Sequence, residues 1–329
     1  MIRRREFITL LGGATAWPLA ARAQQGGIVR RIGMLIAGAP NNRGSEANLA
    51  AFRDGLAKLG WIEGSNLRVD LRFGGDDPEH IRASAVELVG LAPDVMVGSI
   101  STTRAVQEQT QTIPIVIASG GDPIANGLIR NITRPEGNIT GFINAEPSIA
   151  GKWLELLKEA APRVTRVAII FNSELAPTAP SYISRIELTA LDLGVMAIKT
   201  PVGTAVDIVR AIDAFAAGRN GGLLVLPPPL GGAFRDSIFQ LAQQHRLPAI
   251  YPVQADAAAG GMMAYATDLV DQYRRAASYV DRLLRGAKVS ELPVQFPAKF
   301  ELVINLRAAK AIGLEFPPTL LARADKLIE

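Results

Sequence analysis

Hydroxyl side chains cluster directly after a predicted strand in the first half of the chain. The strand at residues 94–98 is followed by Ser99, Ser101, Thr102 and Thr103, where the chain enters a helix. A helix N-terminus carries about half a positive charge, so hydroxyls and backbone N–H groups there can hold a carboxylate without a basic side chain. Capping accounts for only one of these hydroxyls. We expect at least one of them to contact a ligand, with Ser101 and Thr102 preferred.

A second group of polar side chains follows the strand at residues 32–37. Asn41, Asn42 and Ser45 could hydrogen-bond a small polar ligand, although Ser45 could equally cap the next helix. The glycines at 38 and 44 are too far apart for a dinucleotide fingerprint, and no lysine follows the second one as a P-loop requires. This loop therefore does not favour a phosphate cofactor.

A third loop follows the strand at residues 114–118 and contains Ser119 and Asp122. Asp122 precedes Pro123, an order that is typical of a helix cap and first turn. Alternatively, the Asp122 carboxylate receives a ligand amine at the wall of a cleft.

In the second half of the chain, the candidate residues again lie close to predicted strands; they are Asn172, Ser173, Glu174, Pro228, Tyr251 and Tyr265. Glu174 could neutralise a ligand amine or reject a second carboxylate. Three consecutive prolines around Pro228 stiffen an extended wall, which is usually structural but would suit an apolar ligand. The rings of Tyr251 and Tyr265 could stack on a ligand, or they could be buried in the core.

Side chains for catalysis or metal binding are sparse. The chain has no cysteine and two histidines, His80 and His245, and neither histidine follows a strand. A candidate serine therefore has no evident base, and no HExxH or G-x-S-x-G motif is present. We expect a binding protein and not an enzyme, with no metal and no cofactor.

The elements that must position these loops alternate between strands and helices. Strands are predicted at 32–37, 67–73, 94–98, 114–118, 139–143, 166–171, 195–201, 223–226, 249–251 and 300–304. Apolar residues between them recur at helical spacing, for example Leu49, Phe52 and Leu56. Such βαβ repetition builds parallel sheets with helices on both faces, so the sequence predicts an α/β fold with two doubly wound parallel-sheet lobes.

The chain is expected to cross between the lobes near residues 144–146, 267–268 and 296–299. A late helix whose apolar face contains Leu269, Tyr273 and Val280 can belong to one lobe while the last strand returns to the other, which implies more than one crossing. Lobe 1 would comprise residues 28–144 plus 268–297, and lobe 2 residues 145–267 plus 298–329. Ligands bind beyond the carboxyl ends of strands in such sheets, so closure about these crossings would bury a ligand between both walls.

Length and composition agree with two packed domains. The chain has 329 residues, 48% hydrophobic and 20% charged, which suits a globular protein and excludes disorder. Its formal net charge is +4, but the segment 1–23 holds four arginines and one glutamate, so the remainder carries only +1. A nucleic-acid binder needs a basic face, and this balance excludes that class.

The segment 1–23 has the order of an export signal. A basic start is followed by an apolar stretch at 7–16 and by Ala21-Arg22-Ala23, which indicates cleavage near Ala23. Arg4-Arg5 resembles the twin-arginine motif, but the preceding Arg3 is unusual there, so Sec export stays open. No later apolar run is long enough to span a bilayer, so we expect a soluble periplasmic protein without a membrane span.

Several sequence blocks together resemble solute-binding proteins of ABC transporters, in the group with tryptophan- and phenylalanine-binding members. They are FRDGL at 52–56, LGWIEGSNL at 59–67, IPIV at 113–116, Gly121-Asp122-Pro123, RPEGNITG at 134–141, AGGMMAY at 259–265 and KFELVINL at 299–306. The resemblance spans nearly the whole mature chain and is specific only in combination. Relatives often show an Asn-Pro-Asn-like loop where this chain has Asn172-Ser173-Glu174, so ligand identity is not carried over.

The resemblance implies a type I periplasmic-binding-protein clamshell. Such a protein would capture a small organic ligand, amino acid or aromatic acid-like, and deliver it to an ABC permease and its ATPase, and we expect it to be a monomer. A periplasmic sensor that presents its closed state to a membrane receptor, and a periplasmic enzyme of similar fold, are the alternatives.

Overall fold

A computed structural model describes residues 29–37, 43–75, 77–144, 146–172, 176, 178–227 and 232–329. The predicted export signal lies outside these residues. None of the described helices is both long and apolar enough to cross a membrane.

The first sheet is parallel throughout and has the strand order β2-β1-β3-β4-β5. Its strands are β1 (Arg30–Ala37), β2 (Leu67–Gly75), β3 (Val95–Ser99), β4 (Ile115–Ser119) and β5 (Ile139–Gly141). The helices between them are α1 (Arg43–Lys58), α2 (Pro78–Gly90) and α3 (Ile100–Gln109). Asp77 caps α2 by accepting a hydrogen bond from the Glu79 N–H, and Pro78 stands in the first turn, where a missing N–H costs nothing.

The second sheet has seven strands in the order β12-β11-β10-β9-β8-β6-β7. They are β6 (Arg166–Phe171), β7 (Met196–Pro201), β8 (Gly221–Val225), β9 (Ala249–Tyr251), β10 (Met263–Thr267), β11 (Phe300–Asn305) and β12 (Lys326–Ile328). The helices in this half of the chain are α4 (Ile149–Ala160), α5 (Ala179–Leu193), α6 (Ala205–Ala216), α7 (Gly232–Gln244), α8 (Gln254–Ala259), α9 (Leu269–Leu284), α10 (Leu306–Ala311) and α11 (Pro318–Leu321), with a 3₁₀ turn at Val289–Glu291, and all but α9 and the 3₁₀ turn belong to the second sheet. The sheet is parallel except that β11 runs antiparallel to β10.

Helix α9 follows a strand of the second sheet but packs on the first. Its buried residues Tyr273, Ala277 and Val280 share an apolar core with Phe52 of α1. The two helices approach closely because Gly55 has no side chain; a Cβ there would lie 2.8 Å from the Cβ of Ala277. The architecture is the predicted α/β fold of two doubly wound sheets. We call the first sheet with its helices the first lobe, and the second sheet with its helices the second lobe.

The segments that pass between the lobes lie at the carboxyl ends of the parallel strands. After β5, the N–H of Ile143 donates to the carbonyl of Gln295 over 3.0 Å, so two of these segments run side by side. Asn144 holds the loop after β4, since its Oδ1 accepts from the Gly120 N–H at 2.6 Å. The carboxyl ends of both sheets therefore face the same cleft, which is where α/β sheets bind ligands.

Three local predictions differ from the structure. The helix expected after Asp122 is a series of turns at 123–127, because Gly127 adopts a φ of +65° and ends the helical path after one turn. The last predicted strand, β11, runs antiparallel to its neighbour β10. The chain then adds a short edge strand, β12, which pairs with β11. A three-residue edge strand leaves little apolar pattern to detect.

Candidate functional site

The N-terminus of α3 lies at the cleft edge of the first lobe. Ser99 is its N-cap residue, but the Ser99 side chain makes no capping hydrogen bond. Its Oγ instead lies 2.9 Å from the Oγ of Ser101, which is exposed. The first-turn N–H groups of α3 thus lack a side-chain cap and have two hydroxyls beside them, an arrangement that suits a bound carboxylate.

Thr102 and Thr103 serve the fold, which corrects their prediction as ligand contacts. Thr102 is fully buried, and its hydroxyl lies 2.9 Å from the carbonyl of Leu35 and 3.0 Å from that of Ser99. The Thr103 hydroxyl donates to the Ser99 carbonyl over 2.8 Å and is also buried. Both side chains point into the turn because a threonine hydroxyl in a helix readily bonds a carbonyl three or four residues back. Of this group, Ser101 is exposed and Ser99 is half-buried.

The loop after β4 brings Ser119 and Asp122 to the same edge. Burial raises the pKa of Tyr273, and the nearby Ser119 hydroxyl lowers this pKa in part, so Ser119 lies close to α9. Asp122 Oδ1 accepts from the N–H groups of Ile124 at 2.8 Å and Ala125 at 3.3 Å. The Asp122 carboxylate therefore caps a turn and stays half-buried at the cleft.

Ser45 and Asn172 lie near the carboxyl ends of β1 and β6. Ser45 is the third residue of α1 and half-buried, so it stands inside the first turn and does not precede the helix as a cap would. Asn172 directly follows β6, is 8% exposed, and its carbonyl accepts from the Ala176 N–H at 3.0 Å. The remaining candidates lie outside the described residues; these are Asn41, Asn42, Ser173, Glu174 and Pro228.

The two tyrosines predicted to stack on a ligand point elsewhere. Tyr251 is 2% exposed, and its ring packs edge-on against Phe239 with centroids 5.0 Å apart. Tyr265 stacks on Phe300 at 5.6 Å and lines a cavity of about 290 Å³ whose walls all belong to the second lobe. Successive strand residues face opposite sides of a sheet, so a tyrosine near a strand end need not face the cleft beyond that end.

Tyr182 is a buried aromatic residue of the second-lobe core that the sequence interpretation missed. It lies in the first turn of α5, is 1% exposed and stacks on Trp153 with centroids 5.6 Å apart. Burial raises its pKa, and the negative charges of Glu146 and Asp122 raise it further. Asp122 belongs to the first lobe and Tyr182 to the second. The sequence feature that could have identified Tyr182 is its position in the first turn of the helix that follows β6.

Asp256 is a second residue that the sequence interpretation missed. It lies in α8, which begins shortly after the carboxyl end of β9, and it is 5% exposed. Burial raises its pKa to about 6, although the positive charge of Arg235 lowers it in part. A buried carboxyl group whose pKa is raised in this way lowers the stability of the protein when it is ionised.

Across the described ranges, no cluster of three or more His, Asp or Glu side chains is arranged to hold a metal ion. The site instead offers a helix N-terminus with two hydroxyls and, on the same wall, the carboxylate of Asp122. Such a wall can bind a molecule that carries both a carboxylate and an amine.

Comparison with known proteins identifies a family that covers most of the chain. The family described as ABC transporter substrate binding protein matches residues 42–328. A tyrosine-binding protein of Clostridioides difficile is 21% identical over 265 residues, which are 80% of this chain and 76% of that protein.

Solved structures match the fold over most of the chain. A conserved domain protein of Vibrio cholerae has a TM-score of 0.78 at 26% identity, with 91% of this chain and 99% of that chain covered. An ABC domain from Streptococcus pneumonia, solved in complex with L-Trp, has a TM-score of 0.75 at 21% identity, with 90% and 100% covered. At 21% identity, the similarity to the Streptococcus structure shows a shared fold only.

Proposed function

The chain belongs to the family of ABC transporter substrate-binding proteins, and on that premise we propose that it captures an amino acid or a similar aromatic acid between its lobes. The fold is the type I periplasmic-binding-protein clamshell. In this proposal the first lobe comprises residues 28–144 plus 268–297, and the second lobe residues 145–267 plus 298–329. The lobes would close on the ligand by hinge motion in the three connecting segments.

The uncapped N-terminus of α3 beside Ser99 and Ser101 carries this proposal. A ligand carboxylate would accept hydrogen bonds from the first-turn N–H groups and from the Ser101 hydroxyl. The Asp122 carboxylate would receive the ligand amine. The hydrogen bond that Oδ1 accepts from its own turn holds the carboxylate in place, and the group is half-buried, so it is still accessible to a ligand. Both charges of an amino acid would then be met on one wall.

The ligand body is proposed from the relatives. One is named a tyrosine-binding protein, and the Streptococcus structure contains L-Trp. Tyr182 and Trp153 stack on each other inside the second-lobe core and are not free to contact a ligand, so the names of the relatives alone support an aromatic ligand body. L-tyrosine and L-tryptophan are therefore the first ligands to test.

Thermal unfolding against a panel of amino acids and aromatic acids tests the proposal. A ligand at about 100 times its Kd should add about 2.7 kcal/mol to the free energy of unfolding. Ser101→Ala should reduce the affinity of that ligand, whereas the control Ser278→Ala, an exposed serine on α9, should not. If no member of the panel stabilises the protein, the proposed ligand class is wrong.

We also propose that the protein is exported to the periplasm and delivers its ligand to an ABC permease and its ATPase. The basic start and apolar stretch of the segment 1–23 support export. Changing Arg4 and Arg5 together to lysine should leave precursor in the cytoplasm if the twin-arginine route is used, because lysine does not replace the guanidinium pair. Unchanged export would indicate the Sec route.

A further inference from the structure

A compact network of charged side chains lies where the chain passes between the lobes. Lys299 Nζ is 2.8 Å from Asp268 Oδ2 and 3.0 Å from Glu301 Oε1. The Asp268 N–H also donates to the carbonyl of Lys299 over 3.0 Å. Glu301 Oε2 in turn accepts from Gln254 Nε2 at 3.0 Å. Two connecting segments, one leaving the second sheet and one returning to it, continue the antiparallel pairing of β10 and β11, in which Thr267 faces Phe300, and the charged network links their side chains.

Asp268 holds a lobe-one helix and a lobe-two segment together. Its Oδ1 caps α9 by accepting from the Asp271 N–H at 3.0 Å, while its Oδ2 meets Lys299. Its side chain is 10% exposed, so little solvent competes for it. Helix α9 is fastened to the first sheet by Gln272, whose Nε2 donates to the Ala118 carbonyl over 2.9 Å. The orientation of the first lobe relative to the second therefore depends on the Asp268 carboxylate, which caps α9 of the first lobe and pairs with Lys299 of the second lobe.

Both members of the pair stay charged near neutral pH. Burial raises the pKa of Asp268, but hydrogen bonds from Lys299 and the Asp271 N–H outweigh burial and hold the pKa below its ordinary value. Hydrogen bonds to Asp268 and Glu301 raise the pKa of Lys299. Asp268 is the buried member of the pair, since its side chain is 10% exposed whereas that of Lys299 is 54% exposed. The link therefore persists across the physiological pH range.

We propose that Lys299 and Asp268 are positioning residues that keep the two joined segments rigid. A change in the angle between the lobes then takes place by backbone rotation in the third connecting segment, at Asn144. Asn144 Oδ1 accepts from the Gly120 N–H at 2.6 Å, and the Asn144 N–H donates to the Gly120 carbonyl over 2.8 Å. Movement at Asn144 is thus passed directly to the loop that contains Asp122. The pair narrows the range of lobe angles before a ligand arrives, and this lowers the ordering cost of binding.

The test measures distances between the lobes of the unliganded protein. Because the chain has no cysteine, Ala83→Cys on α2 and Ser181→Cys on α5, both exposed, give two specific spin-label sites for electron–electron double resonance. Lys299→Met should broaden the distance distribution, because it removes the ammonium and keeps most of the stem. Lys299→Arg, which keeps the charge, and Lys326→Met, at an exposed position in β12, should leave the wild-type width.

A wild-type width in Lys299→Met together with a lower melting temperature would overturn the proposal, since the pair would then be an ordinary stabilising contact. If Lys299→Met does not fold, Asp268→Asn decides by the same measurement, because asparagine still caps α9 but carries no charge. Titration with L-tyrosine, which rests on the proposed function, should show several-fold weaker binding in Lys299→Met. A broadened distribution without tyrosine binding by any variant would support the positioning role and contradict only the proposed ligand.

Discussion

Replacing Asp256 with asparagine should stabilise the protein at neutral pH, because asparagine has no charge to bury. Asp256 is 5% exposed, and burial raises its pKa from 3.8 to about 6 against the partial opposition of Arg235. One pKa unit corresponds to about 1.4 kcal/mol, so this shift of about two units amounts to about 3 kcal/mol.

The pH dependence of this effect has a defined sign. The folded protein holds the Asp256 proton more tightly than the unfolded chain, so the free energy of unfolding falls as the pH rises from about 4 to about 6. The penalty is complete above the folded-state pKa and absent below the unfolded-state pKa. The stability gained by Asp256→Asn should therefore grow from near zero at about pH 4 to about 3 kcal/mol at about pH 7.5.

Urea denaturation of the wild type, Asp256→Asn and an exposed control, Asp192→Asn, measures this difference across the same pH range. Other carboxylates with shifted pKa values, such as Asp70 and Asp268, are present in all three proteins and cancel in the comparison. A gain of equal size at both ends of the range would refute the reasoning, as would a variant less stable than the wild type at about pH 7.5.

Thr102→Val should lower the unliganded free energy of unfolding by about 1 to 3 kcal/mol, since the hydroxyl that bonds the Leu35 carbonyl is lost; urea unfolding checks this, and ligand affinity should not change. Ser101→Ala should do the reverse, with weaker binding by calorimetry at an unchanged melting temperature; a loss of stability instead would make its hydroxyl structural. Gly141→Ala should yield little folded protein by circular dichroism, because Gly141 has a φ of +138° and a Cβ there would overlap the backbone of Ile117. A normally folded Gly141→Ala protein would contradict that strain.

The sequence predicted the architecture well because its evidence is local and repeated. Apolar runs of strand length and the helical spacing of Leu49, Phe52 and Leu56 recur along the chain, and each of these residues is buried in the first-lobe core. The loops that follow strands were also identifiable, since the rule that ligands lie beyond carboxyl ends needs only the order of the elements. The order of the elements alone therefore places Ser99, Ser101 and Asp122 in loops that follow strands, and their contact with a ligand stays a prediction.

Which hydroxyl or ring in a loop reaches the cleft was decided only by tertiary structure. Thr102 and Ser101 are neighbours of similar chemistry, yet Thr102 bonds the carbonyl of Leu35, which lies 67 positions away in the chain, while Ser101 stays exposed. Tyr251 is buried against Phe239, and the pKa of Asp256 depends on how deeply α8 packs. Periodicity along the chain determines which face of an element is apolar. Solvent exposure and pKa depend on which distant segments cover that face, and those contacts form only when the two sheets and their helices assemble.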